Sequence, residues 1–273
     1  MSFGHEVVAV ARKEILDNIR SKWVLVLSFI FALLTVVVSY YGSLGSDWQS
    51  LDLTIAGMMS LVEFLVSIIG LMLGYAAING EVESGELLGV LALPLRRLEL
   101  LLGKFAGLGV VLSSSVLIGF GVGGLIIALN VSGSVDWLMF LGFIFSSVLY
   151  GLVFLALSLL WSALLRRRSA SMGLSVFSWF FFTMIWGIII LGILMGEMLN
   201  SSSFSMPDWY FVVNLLNPMQ VYVSLVSLIV PSAAAEMSVV PEWYSAPLLV
   251  LVLCVWIVGC LSLAMWRFDR RDV

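Results

Sequence analysis

Charge is scarce in this chain. Of 273 residues, 13 are Lys or Arg and 17 are Asp or Glu, so 11% are charged while 62% are hydrophobic. Water-soluble domains sit near half apolar and a quarter charged. A soluble fold cannot hide this much apolar surface, so lipid is the solvent for most of the chain. There is one histidine, His5. With it, no Ser–His or Cys–His pair can form inside the membrane, and no Cys/His metal cluster or H-E-x-x-H is available. No P-loop occurs: Lys104 follows Gly103, but Phe105 comes next and the earlier glycine is missing. The two cysteines, Cys254 and Cys260, lie about 9 Å apart along a helix axis and on different faces. That spacing excludes a disulfide. No signal-peptide pattern opens the chain. There is no internal repeat or low-complexity tract. No catalytic residue, no directly bound cofactor or metal, and no nucleic-acid partner is expected.

What is present is long apolar runs. Six stretches can span about 30 Å of hydrocarbon: 23–41, 57–78, 105–129, 137–165, 171–195 and 246–266. Ahead of them, Val8, Ala11, Ile15 and Ile19 recur at helical spacing, with Arg12, Lys13, Glu14 and Asp17 on the other face. This predicts an amphipathic helix over 5–22, lying in the interface plane. A seventh apolar stretch, 209–230, is broken by Asn214, Asn217 and Pro218. Proline removes a donor and restricts the residue before it, so two short helices meeting at Asn217–Pro218 are expected.

Charge placement sets the topology. Every Lys and Arg falls in one of four places: before the first span, between the second and third, between the fourth and fifth, or after the last. The alternate loops carry Asp47, Asp52, Asp136, Glu197, Asp208, Glu236 and Glu242 and no basic residue. The positive-inside rule then gives six spans, both termini cytoplasmic, in the plasma membrane. The stretch 209–230 becomes a re-entrant hairpin on the outer side, where irregular backbone needs protein or a water-filled cavity around it. The expectation is one all-α membrane domain over 1–273.

The segment from Ile78 to Phe105 is the polar exception. It holds Glu81, Glu83, Glu86, Glu99, Arg96, Arg97 and Lys104. The run Glu81-Val82-Glu83-Ser84-Gly85-Glu86 reads as a helix start, with acids at the positive end of the dipole. Leu87, Leu91 and Leu95 share a face, and Pro94 stops the helix. Such a helix between two spans suits a lever that fits a partner's groove. Within the spans, Gly119 to Gly124 (GFGVGG) matches a nucleotide fingerprint but has no preceding strand. It reads better as close helix packing, as do Gly103 and Gly107, with Gly142, Ser146 and Gly151 as candidate facing residues. Glu63 is the one acid within a span, and an intramembrane carboxylate is a functional candidate by default. A pathway or gate role is expected for Glu63, Asn217 and Pro218.

ARKEILDNIRSKW (Ala11 to Trp23), NGEVESGELLGVLALPLRRLELLLGK (Asn79 to Lys104) and LLNPMQVY (Leu215 to Tyr222) together resemble the permease subunits of type-2 ABC transporters, along essentially the whole chain. That resemblance implies an interface helix, a coupling helix within 79–104, and outer re-entrant helices. It also implies a cytoplasmic ATPase subunit that binds the ATP, with Glu81, Glu83, Gly85, Glu86, Leu87, Leu91, Pro94, Arg96 and Arg97 as its docking residues. A permease homodimer would form the pore. The branch most alike serves maturation of the copper enzyme nitrous oxide reductase, which implies a periplasmic accessory partner and export of a sulfur species. A permease for a drug, lipid or polysaccharide, or a membrane scaffold that moves nothing, are the alternatives. A secondary transporter would need charges embedded on several spans.

Overall fold

The structure, a computed structural model, describes residues 3–19, 22–41, 51–85, 96–130, 136–198, 206–230 and 240–270. Among these residues every regular element is helical. Backbone amides in hydrocarbon have no water to bond, and a helix satisfies them within one segment. α1 (Phe3–Ile19) precedes α2 (Lys22–Tyr41). α3 (Leu51–Leu61), a π-helical turn (Val62–Val66) and α4 (Ser67–Gly74) run on from one another, and a turn leads to the short α5 (Asn79–Ser84). α6 (Arg97–Asn130) and α7 (Trp137–Leu164) follow. α8 (Arg168–Phe180), a second π-helical turn (Phe181–Ile185) and α9 (Trp186–Met198) form another continuous stretch. α10 (Asp208–Asn214), α11 (Pro218–Ile229) and α12 (Ala246–Asp269) complete the bundle.

Five stretches among the described residues are long and apolar enough to cross a membrane: Gly57–Ser84, Arg97–Ile126, Trp137–Leu164, Arg168–Gly196 and Ala246–Asp269. The chain bends by 115° between α10 and α11, which would count as a sixth only if the bent pair crossed as one. α2 is a 20-residue helix with an apolar stretch at Phe29–Val38. The multi-span helical bundle expected from the sequence is therefore present. The break at Asn217–Pro218 is present too. The Asn217 side chain accepts from the Met219 amide at 2.9 Å, and Pro218 takes the first helical position, where its missing donor costs nothing.

Three details differ from the sequence reading. First, α6 begins at Arg97, not at 105. The Glu99 carboxylate accepts the Arg96 amide at 2.8 Å, the reciprocal half of a capping box, so Arg97 to Lys104 form the first turns of the span. Second, α5 ends at Gly85, whose φ of 77° is a left-handed cap. Glu81 lies in the first turn of α5, at the positive end of its dipole as expected, but that helix begins at Asn79 and stops at Gly85. Glu86, Leu87, Leu91 and Pro94 lie outside the described residues, so the lever expected after Gly85 does too. Third, the small residues face other partners. A Cβ on Gly103 would lie 2.6 Å from Val10 Cβ, and one on Gly107 would lie 2.7 Å from the Ala11 carbonyl. Gly119 and Gly123 meet Phe31 and Thr35 of α2. Thus α1 and α2 pack along α6, with Val10 buried and Val8 exposed. Of the glycines expected to face these positions, Gly151 meets Leu112 of α6, whereas Gly142 meets Ile229 of α11.

α7 forms the centre, with 83% of its apolar window buried. α4, α6, α11 and α12 all pack on it. Gly70 and Gly151 allow the closest approach: a Cβ on Gly70 would lie 2.6 Å from the Gly151 carbonyl. Helices in lipid gain little by burying apolar area, so such close packing and interhelical hydrogen bonds hold them together. Ser158 of α7 donates to the Gly70 carbonyl at 3.2 Å. Cys254 is exposed and Cys260 buried, both unpaired.

Candidate functional site

Segments from all four basic regions gather at one end of the bundle. Lys104, 2% exposed, lies between two carboxylates: its Nζ donates to Glu14 Oε1 at 2.6 Å and to Glu81 Oε1 at 2.8 Å. Lys13 reaches the same Glu81 oxygen at 3.4 Å. A buried charge is tolerated when it is paired and hydrogen-bonded, and here the pairing joins α1, α5 and α6. Burial pulls the Lys13 ammonium down, but the Glu81 carboxylate more than restores it, so Lys13 titrates above an ordinary lysine. Nearby, the Glu6 carboxyl titrates above the ordinary range because it shares a hydrogen bond with Glu99, with burial and the Glu99 charge adding to the effect.

α5 is fixed to α7 from the other side. Ser162 Oγ accepts the Ile78 and Asn79 amides at 3.0 and 3.2 Å and donates to Asn79 Oδ1 at 3.2 Å. Glu83 accepts the Arg168 amide at 2.9 Å, capping the start of α8. Arg168 Nη2 donates to the Tyr75 hydroxyl at 2.9 Å, and the Tyr75 carbonyl accepts from Ser171. Arg97 donates to the Phe268 and Asp269 carbonyls at the end of α12, where cationic side chains suit the dipole. Short α5 is therefore tied to α1, α6, α7 and α8 at once. A push on α5 has rigid routes into four other helices.

Of the expected docking residues, Glu81, Glu83, Gly85, Arg96 and Arg97 come together at this end. Glu83, Gly85 and Arg96 are exposed, whereas Glu81 is mostly enclosed by its ion pairs. The sequence reading missed Glu14, Asn79, Ser162 and Tyr75 as parts of the site. Their partners lie roughly 90 residues away, and no local spacing signals them.

Glu63, Asn217 and Pro218 lie elsewhere. Glu63 sits in the first π-helical turn, and its backbone carbonyl accepts from Ser67 Oγ at 2.5 Å and Tyr150 Oη at 3.2 Å. Tyr150 stacks on Tyr222 of α11, with ring centroids 4.7 Å apart. Asn217 Nδ2 donates to the Phe182 carbonyl, within the second π-helical turn, at 2.9 Å, and Asn214 Oδ1 accepts from Trp186 at 3.1 Å. Side-chain donors thus reach a backbone carbonyl in each π-helical turn. The bent pair is thus fastened to the α8–α9 span at its irregular point. Glu63 and Asn217 belong to neighbouring irregular turns, not to one constellation.

The family model for the ABC-2 family transporter protein matches residues 8–273. The chain belongs to this ABC-2 transporter family. The permease is 38% identical over 278 residues to the "Probable ABC transporter permease protein NosY" of Pseudomonas aeruginosa, covering 98% of this chain and 99% of that one. It is 36% identical over 277 residues to the protein of the same name from Stutzerimonas stutzeri, with 98% and 99% covered. As an ABC-2 permease it is an integral membrane transport component, and its family implies an ABC ATPase partner.

Proposed function

We propose that this permease couples a cytoplasmic ATPase subunit to export of a substrate, and that the charged end is where the ATPase docks. The Lys104 clamp is the observation that carries this reading. It locks α5 to the interface helix and to the start of a long span, which is what a lever needs. In this reading the basic end faces the cytoplasm with both termini, as the positive-inside rule directs. ATP stays on the partner. Closure of the ATPases pushes on the 79–97 segment, and the motion passes through Glu81–Lys104 into α6 and through Asn79–Ser162 into α7. Two copies form the pore, and the Asn217–Pro218 elbow with Glu63 gates the outer end.

Following the resemblance to the branch that serves nitrous oxide reductase maturation, the cargo is a sulfur species, received by a periplasmic accessory protein for the copper site. The test is ATP hydrolysis by the reconstituted complex in proteoliposomes. Stimulation by a sulfur donor, and not by drugs, lipids or polysaccharide precursors, is expected. Hydrolysis that no candidate changes, with nothing transported, would favour a scaffold.

A further inference from the structure

A groove of about 310 Å³ runs between α4 and α8, beginning at Tyr75. Phe64, Met72, Met172, Val176 and Trp179 make its walls almost wholly apolar. Ser175 is the polar exception. Its hydroxyl is buried in the groove's lining and has no hydrogen-bond partner among the described residues. Leaving such a group unpaired is costly, so an acceptor is wanted there. At the Tyr75 end stands Arg168, its guanidinium 5.3 Å over the Tyr75 ring. Arg166 and Arg167 adjoin it, exposed. No carboxylate among the described residues forms an ion pair with these three arginines.

We infer that this groove binds an anionic phospholipid. The order of chemistry along it matches such a molecule. Cationic side chains stand at one end, and apolar walls with the Ser175 hydroxyl among them follow. Seven residues separate Arg168 from Ser175, about 10 Å along the helix axis, so the phosphate meets the arginines while an ester carbonyl accepts from Ser175. The acyl chain then lies against Phe64, Val176 and Trp179. Basic clusters where spans meet the interface favour anionic headgroups. A small inorganic cargo would have no use for the apolar walls, so this site is separate from the transport reading. A bound lipid would add to the Trp179–Ser67 hydrogen bond that already joins α8 to α4 at 3.0 Å, beside the Tyr75–Arg168–Glu83 contacts of the docking end.

The test uses the full chain in nanodiscs doped with phosphatidylglycerol or phosphatidylcholine bearing a photoactivatable acyl chain, with labelled peptides mapped by mass spectrometry. Phosphatidylglycerol should label α4 and α8 peptides in preference to phosphatidylcholine. Arg168→Ala should lower that labelling about fivefold, the effect of one interfacial cation. Val176→Trp fills the groove from an exposed position and should abolish labelling while the ATPase still co-purifies. Equal labelling by both lipids, or labelling untouched by Val176→Trp, would overturn the assignment. So would efficient disulfide crosslinking between chains carrying Met172→Cys, because a second copy would then occupy the groove.

Discussion

The α7 and α8–α9 spans are consecutive, similar in length and similarly apolar, yet 83% of the apolar stretch of α7 is buried and only 11% of that of α8–α9. Apolar character alone therefore does not decide which helix is central. In lipid, the difference comes from how closely backbones can meet and which polar groups find partners. On α7, Gly151 touches Val66 and Leu112, while Ser158 and Ser162 bond neighbouring segments. On the α8–α9 span, Gly173, Gly187 and Gly192 have nothing within 4 Å of an added Cβ. The closed side of the molecule is a fixed body. The open side remains available to lipid, ligand or a second copy.

Substitutions on the closed side should therefore cost most. Lys104→Ala leaves Glu14 and Glu81 without their shared cation, and breaking such a pair costs about 3–5 kcal/mol. Thermal unfolding in detergent should show that loss, with Lys104→Arg milder. Gly151→Leu forces side chains into Val66 and Leu112 and should cost about 1–3 kcal/mol by the same measurement. Asn217→Ala removes the cap on α11 and the bond to Phe182, for about 1–2 kcal/mol. It should also raise hydrogen exchange in α10 and α11. At the bottom of the scale, Gly187→Leu on the open side should change stability by less than about 0.5 kcal/mol. If it instead lowers the oligomeric state in native mass spectrometry, the open side is where two copies meet. A cost for Gly187→Leu equal to that for Gly151→Leu would remove the distinction between the sides.

Much of the bundle was legible because a span is a local feature: about 20 apolar residues, bounded by charge or turns. The elbow at Asn217–Pro218 was legible for the same reason, since proline and a capping asparagine act on adjacent residues. The start of α6 was misplaced because Arg97 and Lys104 read as loop residues. Only the structure shows Lys104 held by Glu14 and Glu81, although Glu99 three residues after Arg96 was a signal for the earlier start. The Glu81–Gly85 run read as a helix start because acids favour that end. Glu81 does lie in the first turn of α5, but the αL conformation of Gly85 stops that helix after six residues. The clamp itself was not legible, because Glu14 and Lys104 are 90 residues apart, and pairing over that distance is a product of the fold.

The docking role of the charged end is open to a direct test: how much ATPase subunit each variant retains on purification. Glu83→Arg would also uncap α8, and Gly85→Trp would strain a φ of 77°. Ser84→Trp and Arg96→Ala are cleaner, because both side chains are exposed beside the clamp. Leu138→Ala at the opposite end, 82% exposed, serves as the control. The account predicts that the two docking-end variants lose at least about tenfold of the retained ATPase, as expected for central interface positions, with unchanged thermal stability. Full retention by both variants, equal to the Leu138→Ala control, would contradict it.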